Sequence, residues 1–387
     1  MDRAKAQKGF SIVELLVVMA IFAFIIAGAS QMFVGIISDF KQQGRLAVTN
    51  IEGVLGLEVL RRDLQGAGYG LFTDPGTVSL TYTEVGNSAD AAGFALNDNP
   101  QDTTADKRPP RALAIGAGSD LNGSDRLAIK ATSVGLSERG DVWTYNKLAA
   151  DKTNSTNFTW QAAADQPLST DRVIMLSLDL KESMDISKKI LVPKLGGGFF
   201  TRYHDSTSIT AGFSPSRREV SAVYFVDDAN DLKMPFNRAD YYIKQPANPP
   251  MHCANGTGTL YKSVASQSGD GYQTTLPLLE CVADMQVALV LLKEGKTAEY
   301  EVKETTAGLT AKDIRRVREA RVYILAQEGQ RDKNFTYPSN LVWVGEQGAP
   351  YPVGTVGRSF DLSSNITDWQ HYRWKLYTLA IRPVNLR

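Results

Sequence analysis

The sequence is poor in the residues that disulfide scaffolds and metal sites need. It has two cysteines and three histidines in 387 residues. Two cysteines exclude a disulfide-dense scaffold and a four-cysteine zinc site. The histidines (His204, His252 and His371) are scattered and supply no ligand set. Net charge is also missing: 42 basic residues balance 42 acidic ones. Nothing global therefore draws the chain to nucleic acid or to an anionic membrane. No GxSxG, HExxH or P-loop occurs, so no catalytic or cofactor motif is present and no cofactor or small-molecule substrate is expected. Proline is absent before Pro75. The hydrophobic share of 43% against 22% charged residues is ordinary for a globular chain and excludes wholesale disorder.

One long apolar run breaks that average. Residues 1–9 carry Arg3, Lys5 and Lys8 against Asp2. From Leu15 to Ser38, roughly 24 positions, no charged residue occurs. At ~1.5 Å per residue this helix covers about 36 Å, enough for a bilayer core. The basic flank keeps the N terminus cytoplasmic and places the body after Asp39 outside. A cleavable secretory signal would need a shorter run; Ala27-Gly28-Ala29 could serve as its cleavage site, but the run continues to Ile37. A plain anchor explains the length but not Glu14, an acid that is costly in lipid without a partner.

The stretch KGFSIVELLVVMAIF closely resembles the signature of type IV prepilins: a short basic leader ending in Gly, a hydrophobic first mature residue, and Glu at the fifth mature position. These fall on Gly9, Phe10 and Glu14. The resemblance implies a prepilin peptidase that cuts between Gly9 and Phe10 and methylates the new Phe10 amine. It also implies that Glu14 registers an incoming subunit in a filament. The chemistry is coherent. Gly9 lets the scissile backbone enter a cleft extended. Cleavage creates an ammonium one helical turn from Glu14, and the pair attract strongly in low dielectric only if they meet. The expected partners are the peptidase, other major and minor pilins and the inner membrane, with no nucleic acid. The body is expected in the periplasm and then on a pilus.

Beyond the membrane, Phe33, Ile37, Phe40, Gly44, Val48, Ile51, Leu55 and Val59 recur at helical spacing. The helix is expected to run from about Phe10 to Gln65 and to end at Gly66, Gly68 and Gly70. Those glycines follow a helix rather than a strand, so they do not form a dinucleotide fingerprint. The body reads as strands at Val78–Val85, Arg126–Val134, Arg172–Leu180, Glu219–Val226, Asp284–Leu292, Glu319–Gln327 and His371–Ile381. A loop is expected at Gly86–Pro110 and a short helix at Thr310–Arg316. Strands without alternating long helices predict an α+β fold with antiparallel sheet. Five segments (Leu60–Gly70, Val220–Val226, Leu276–Leu289, Ala320–Asp332 and Tyr372–Leu386) resemble PilW-type minor pilins. The expected organisation is a leader at 1–9, a pilin helix at 10–69 with its transmembrane part at about 15–38, an inserted β-rich region at 70–215 and a pilin-like core at 216–387.

In an oxidising periplasm Cys253 and Cys281 are expected to form a disulfide, worth ~3 kcal/mol in the chain-entropy model; two buried thiols are the alternative. Asp120, Asn122 and Asp125, and Asp227, Asp228, Asn230 and Asp231, offer calcium ligands, but the residue types equally suit turns. Arg315, Arg316, Arg318 and Arg321 could hold phosphate or DNA. Trp369, Tyr372, Trp374 and Tyr377 could stack sugars. The function read from all this is a minor pilin, a substrate of an enzyme rather than an enzyme. The rivals are a pseudopilin of a type II secretion system and a pilus-borne adhesin or DNA-binding module.

Overall fold

A single helix, α1, spans Ile12–Gly66 without a break. No proline interrupts it, and its glycines at 28, 35 and 44 meet no other part of the chain. The computed structural model describes residues 11–76, 78, 80, 82–98, 109–135, 137, 140–148, 155–157, 168–178, 189–194, 196–203, 213, 220–228, 230–350 and 353–386. The chain divides into two units, Met1–Ile51 and Glu52–Arg387. In the first, the described side chains of α1 are exposed.

The second unit holds the end of α1, three one-turn helices and the described strands. The helices are α2 (Ala91–Phe94), α3 (Ala311–Ile314) and α4 (Leu362–Asn365). The strands are β1 (Leu113–Gly116), β2 (Arg126–Ala131), β3 (Trp143–Leu148), β4 (Ser155–Asn157), β5 (Arg172–Leu178), β6 (Lys189–Leu191), β7 (Thr201–Arg202), β8 (Val220–Asp227), β9 (Asn237–Lys244), β10 (Gly258–Ala265), β11 (Tyr272–Leu292), β12 (Tyr300–Lys303), β13 (Val317–Glu328), β14 (Leu341–Ala349), β15 (Gly354–Asp361) and β16 (Arg373–Ile381). They form an eight-stranded sheet, β1-β2-β9-β10-β11-β13-β16 with β12 beside β11, and a six-stranded sheet, β4-β3-β8-β5-β6 with β7 beside β5. A β14–β15 hairpin stands apart. The strand pairings are antiparallel, so the fold is α+β.

The eight-stranded sheet is covered on both faces. Along β13, Val322, Ile324 and Ala326 join the core under α1, while Tyr323 and Leu325 face the β14–β15 hairpin with Val344, Val356 and Phe360. This period of two explains why β11 and β13 read as nearly continuous apolar runs. On α1, the packed residues are Gly53, Gly56, Leu57, Leu60, Asp63 and Leu64. A Cβ at Gly56 would lie 2.0 Å from the Leu278 carbonyl oxygen, so glycine is what allows the helix onto β11. This corrects the expected stripe: Leu55 is 66% and Val59 38% exposed. The helical spacing of apolar residues marked a neighbouring face, because the contact face combines Leu57, Leu60 and Leu64 with two glycines and one acid.

Four other expectations change. The described residues of Val78–Val85 form no strand. Val78, Tyr82 and Val85 are buried against sheet side chains, and Val85 N–H and C=O pair with the Asn97 amide. The Gly86–Pro110 loop contains α2, capped by Asp90 accepting from Gly93 N–H; residues 99–108 lie outside the described set. The boundary expected at residue 215 does not follow the sheets. β1 and β2 pair into the sheet of β9–β16, and β8 lies between β3 and β5. Finally, β11 begins at Tyr272, twelve residues before the expected start, because Pro277 is accommodated opposite Tyr261 and a bulge at Cys281 re-aims the strand. The short helix falls where expected, with a Thr310–Asp313 capping box.

Beneath residues 82–98 lies a buried ionic cluster with no counterpart in the sequence reading. Lys130 Nζ is 2.7 Å from Glu84 and 2.5 Å from Asp98. Arg238 is 2.8 Å from Glu84 and holds both oxygens of Asp240 at 2.7 and 2.8 Å. Arg126 bridges Asp90 and Asp120, and Arg111 pairs with Asp98. Burial alone would lower the pKa of Arg238, but Asp240 and Glu84 outweigh it and hold it above the usual arginine value. The cluster ties the α2 segment to β2 and β9.

Candidate functional site: the N-terminal segment

Gly9 and Phe10 lie outside the described residues. From Ser11 onward the geometry is defined. Ser11 precedes α1, and its Oγ accepts a bond from Val13 N–H at 3.3 Å. Glu14 Oε2 accepts from Ser11 N–H at 3.4 Å. Leu15 N–H donates to the Ser11 carbonyl. Ser-Ile-Val-Glu therefore caps the helix in the manner of a capping box: serine satisfies the Val13 N–H of the first turn, and the acid three residues on satisfies the serine's own N–H. The sequence pattern S-x-x-E is the local signal for it. Glu14 thus has a local structural task in α1, and its side chain is exposed.

Downstream, Ile12–Ile37 has a mean hydropathy of 2.7 and no part of that window is buried within the chain. The segment is long and apolar enough to cross a bilayer. At the other end, α1 is fixed by polar contacts. Asp63 Oδ2 receives the Tyr241 hydroxyl at 2.6 Å and lies 2.6 Å from Lys262 Nζ. Burial raises the Asp63 pKa, against the opposing pull of Lys262. Beyond the helix, Val384 N–H donates to the Gln65 carbonyl and the Asn385 amide to that of Gly66, satisfying open carbonyls of the last turn. Gly68 and Gly70, at φ 83° and 68°, turn the chain away.

Residues 4–30 match the family model of the prokaryotic N-terminal methylation motif. No solved structure matches the chain. The motif and the apolar helix that continues from it support a type IV pilin-like protein. The motif implies processing by a prepilin peptidase and pilin-type assembly partners.

Cys253 and Cys281 form a disulfide across Cα atoms 5.0 Å apart. It pins the turn after β9 to the β11 bulge, where Cys281 adopts φ 56°. Gln327 reinforces the same turn: its Oε1 accepts from Ala254 N–H at 2.7 Å, and its Nε2 donates to the His252 carbonyl at 2.8 Å. His252, Cys253 and Cys281 cluster within 4.8 Å, but both sulfurs are bonded to each other and offer no thiolate. Replacing both cysteines by serine should lower the unfolding free energy by about 3 kcal/mol, read from denaturant midpoints. Intact mass of native protein should rise by about 2 Da on reduction, one hydrogen per sulfur. Alkylation of both thiols without reductant would refute the bond.

The remaining constellations are structural. Asp120 holds Arg126, the Asn122 amide donates to the Gly256 and Ala283 carbonyls, and Asp125 accepts from Gly118 and Val287 N–H. Asp227 accepts from Asn230 N–H, a turn contact, and Asp231 pairs with Arg172. Arg316 is bound to Asp313, and Arg321 to Glu319 and Glu346. Tyr372 and Trp374 are buried in the core beneath the hairpin, with the Trp374 indole donating to the Trp369 carbonyl.

Proposed function

We propose that the protein is a minor pilin that takes part in type IV pilus assembly. The observation that carries this reading is the methylation motif at 4–30 running directly into an exposed apolar helix, Ile12–Ile37. Cleavage between Gly9 and Phe10 removes a nine-residue leader and frees the Phe10 amine for methylation. The helix from Phe10 stays in the inner membrane until the subunit is drawn into the filament, with the body in the periplasm. Two features favour a low-abundance subunit over a bulk one. The helix holds no kinking proline, and a body of more than three hundred residues follows it. The chain acts as a substrate and building block and performs no catalysis.

Gly9→Arg tests the processing step. A bulky charged side chain blocks the extended backbone that the peptidase must grip. A full-length precursor should accumulate in the membrane, visible as a mass larger by the leader. Equal amounts of mature protein from the variant and the wild type would remove the cleavage assignment. Counting surface pili in a strain lacking the protein separates the pilus reading from a secretion pseudopilin. Loss or depletion of pili supports the first; normal pili with failed protein secretion supports the second.

A further inference from the structure

The turn from β9 to β10 is held in place several times over. Gln327, buried on β13, accepts from Ala254 N–H at 2.7 Å and donates to the carbonyls of His252 and Gly329, each at 2.8 Å. Cys253 N–H donates to the Pro250 carbonyl, and Thr367 N–H to that of Asn255. The Thr257 hydroxyl donates to the Ala254 carbonyl at 2.7 Å. Across from the turn, Cys281 lies on β11 beside Val282, which pairs with Gly258 of β10 and Ala326 of β13. None of these contacts involves a sulfur. Opening the Cys253–Cys281 bond therefore keeps both cysteines at the same turn instead of releasing a loop.

The turn also gathers two further metal-binding groups. A ring nitrogen of His252 and the two sulfurs lie within 4.8 Å of one another. Glu280 Oε2 is 3.4 Å from His252 Nε2. A regular strand would send Glu280 and Cys281 to opposite faces; the bulge at Cys281, with φ 56°, lets both reach the turn. Ligand atoms around a tetrahedral zinc, with bonds of about 2.0–2.3 Å, stand roughly 3.3–3.8 Å apart. The His252–Glu280 spacing already matches that, and the sulfurs reach it by side-chain rotation once their bond is broken. Sulfur, nitrogen and oxygen donors together suit zinc, which does not itself oxidise thiolates. We propose that this turn is a redox-controlled zinc site: a disulfide when oxidised, and a centre of Cys253, Cys281, His252 and Glu280 when a dithiol reductant opens the bond. The reductant delivers two electrons and two protons, the S–S bond breaks to two thiols, and the reductant leaves as its own disulfide. Zinc then displaces one proton from each thiol and binds two thiolates. His252 and Glu280 are partly exposed, which gives the ion a way in. No part of the N-terminal segment contributes, so the proposal stands apart from the filament reading.

The test uses the full chain in lipid nanodiscs, reduced with a phosphine under argon, with empty discs as background. Cobalt(II) is the first probe, because tetrahedral thiolate coordination gives it visible absorption bands; zinc then competes it out. Reduced protein should take up a single cobalt, and zinc should displace it and raise the thermal midpoint. Oxidised protein should show neither effect. His252→Ala should weaken zinc by about a hundredfold and Glu280→Gln by about tenfold. Cys253→Ser should remove binding. Unchanged affinity in either His252→Ala or Glu280→Gln would mean adventitious thiolate binding and overturn the site. Absence of saturable uptake by reduced protein, uptake by oxidised protein, or unfolding on reduction that zinc does not reverse would overturn it as well.

Discussion

Replacing Glu14 by alanine should leave cleavage at Gly9–Phe10 intact and remove the subunit from assembled filaments. The peptidase acts before any subunit contact forms, so processing does not need the acid. On the proposed reading, Glu14 is the carboxylate that meets a neighbour's Phe10 ammonium in the membrane. Removing one member of a pair in low dielectric leaves the other uncompensated, at a cost of about 3–5 kcal/mol. That corresponds to a loss of docking on the order of a hundredfold or more. The capping box adds a competing explanation, because alanine also deletes the bond to Ser11 N–H. Glu14→Gln separates the two. Its amide oxygen can still accept from Ser11 N–H, but its charge is gone. If pairing governs assembly, both variants are processed, remain in the inner membrane and are depleted from sheared pili. If the cap governs it, glutamine enters pili at the wild-type level and only alanine fails. Membrane retention should persist in both, since the apolar run from Leu15 to Ser38 is untouched.

Lys130→Met should be the most damaging single change in the body. Methionine matches the length of the stem but offers no charge to Glu84 or Asp98, both nearly out of reach of water. Breaking such a pair costs about 3–5 kcal/mol, a large fraction of a typical domain's stability. Arg238 still meets Glu84, and Arg111 still meets Asp98, so the effect falls at the lower end of that range. Adding Glu84→Gln to Lys130→Met should restore part of the loss, because the stranded carboxylate disappears. Denaturant unfolding of the body from Glu52 onward would measure both. A single-variant loss below about 1 kcal/mol would show that the cluster's charges do not depend on Lys130.

The apolar segment was legible because spanning a bilayer imposes a simple demand, length without charge, that Leu15–Ser38 meets locally. The methylation motif at residues 4–30 was legible because it is a linear string of neighbouring residues. The long central strands were legible from their apolar runs, and the end of α1 from its glycines. The disulfide was expected because an exported chain with two cysteines has only one pair to form within itself. What the sequence did not disclose depends on distant partners. Gly53 and Gly56 look like weak points in a helix until the Leu278 carbonyl and the Tyr377 hydroxyl are placed against them. Glu84 looks like a surface acid in a strand until Lys130 and Arg238 surround it. Sheet membership crosses residue 215 because strand pairing is decided by edge hydrogen bonds between segments over a hundred residues apart, as between β2 and β9. Sequence alone therefore determined the N-terminal motif and the apolar span that follows it. Only tertiary structure decided which face of α1 is buried, which strands share a sheet and which charges are taken from water, because those outcomes depend on contacts that no local pattern encodes.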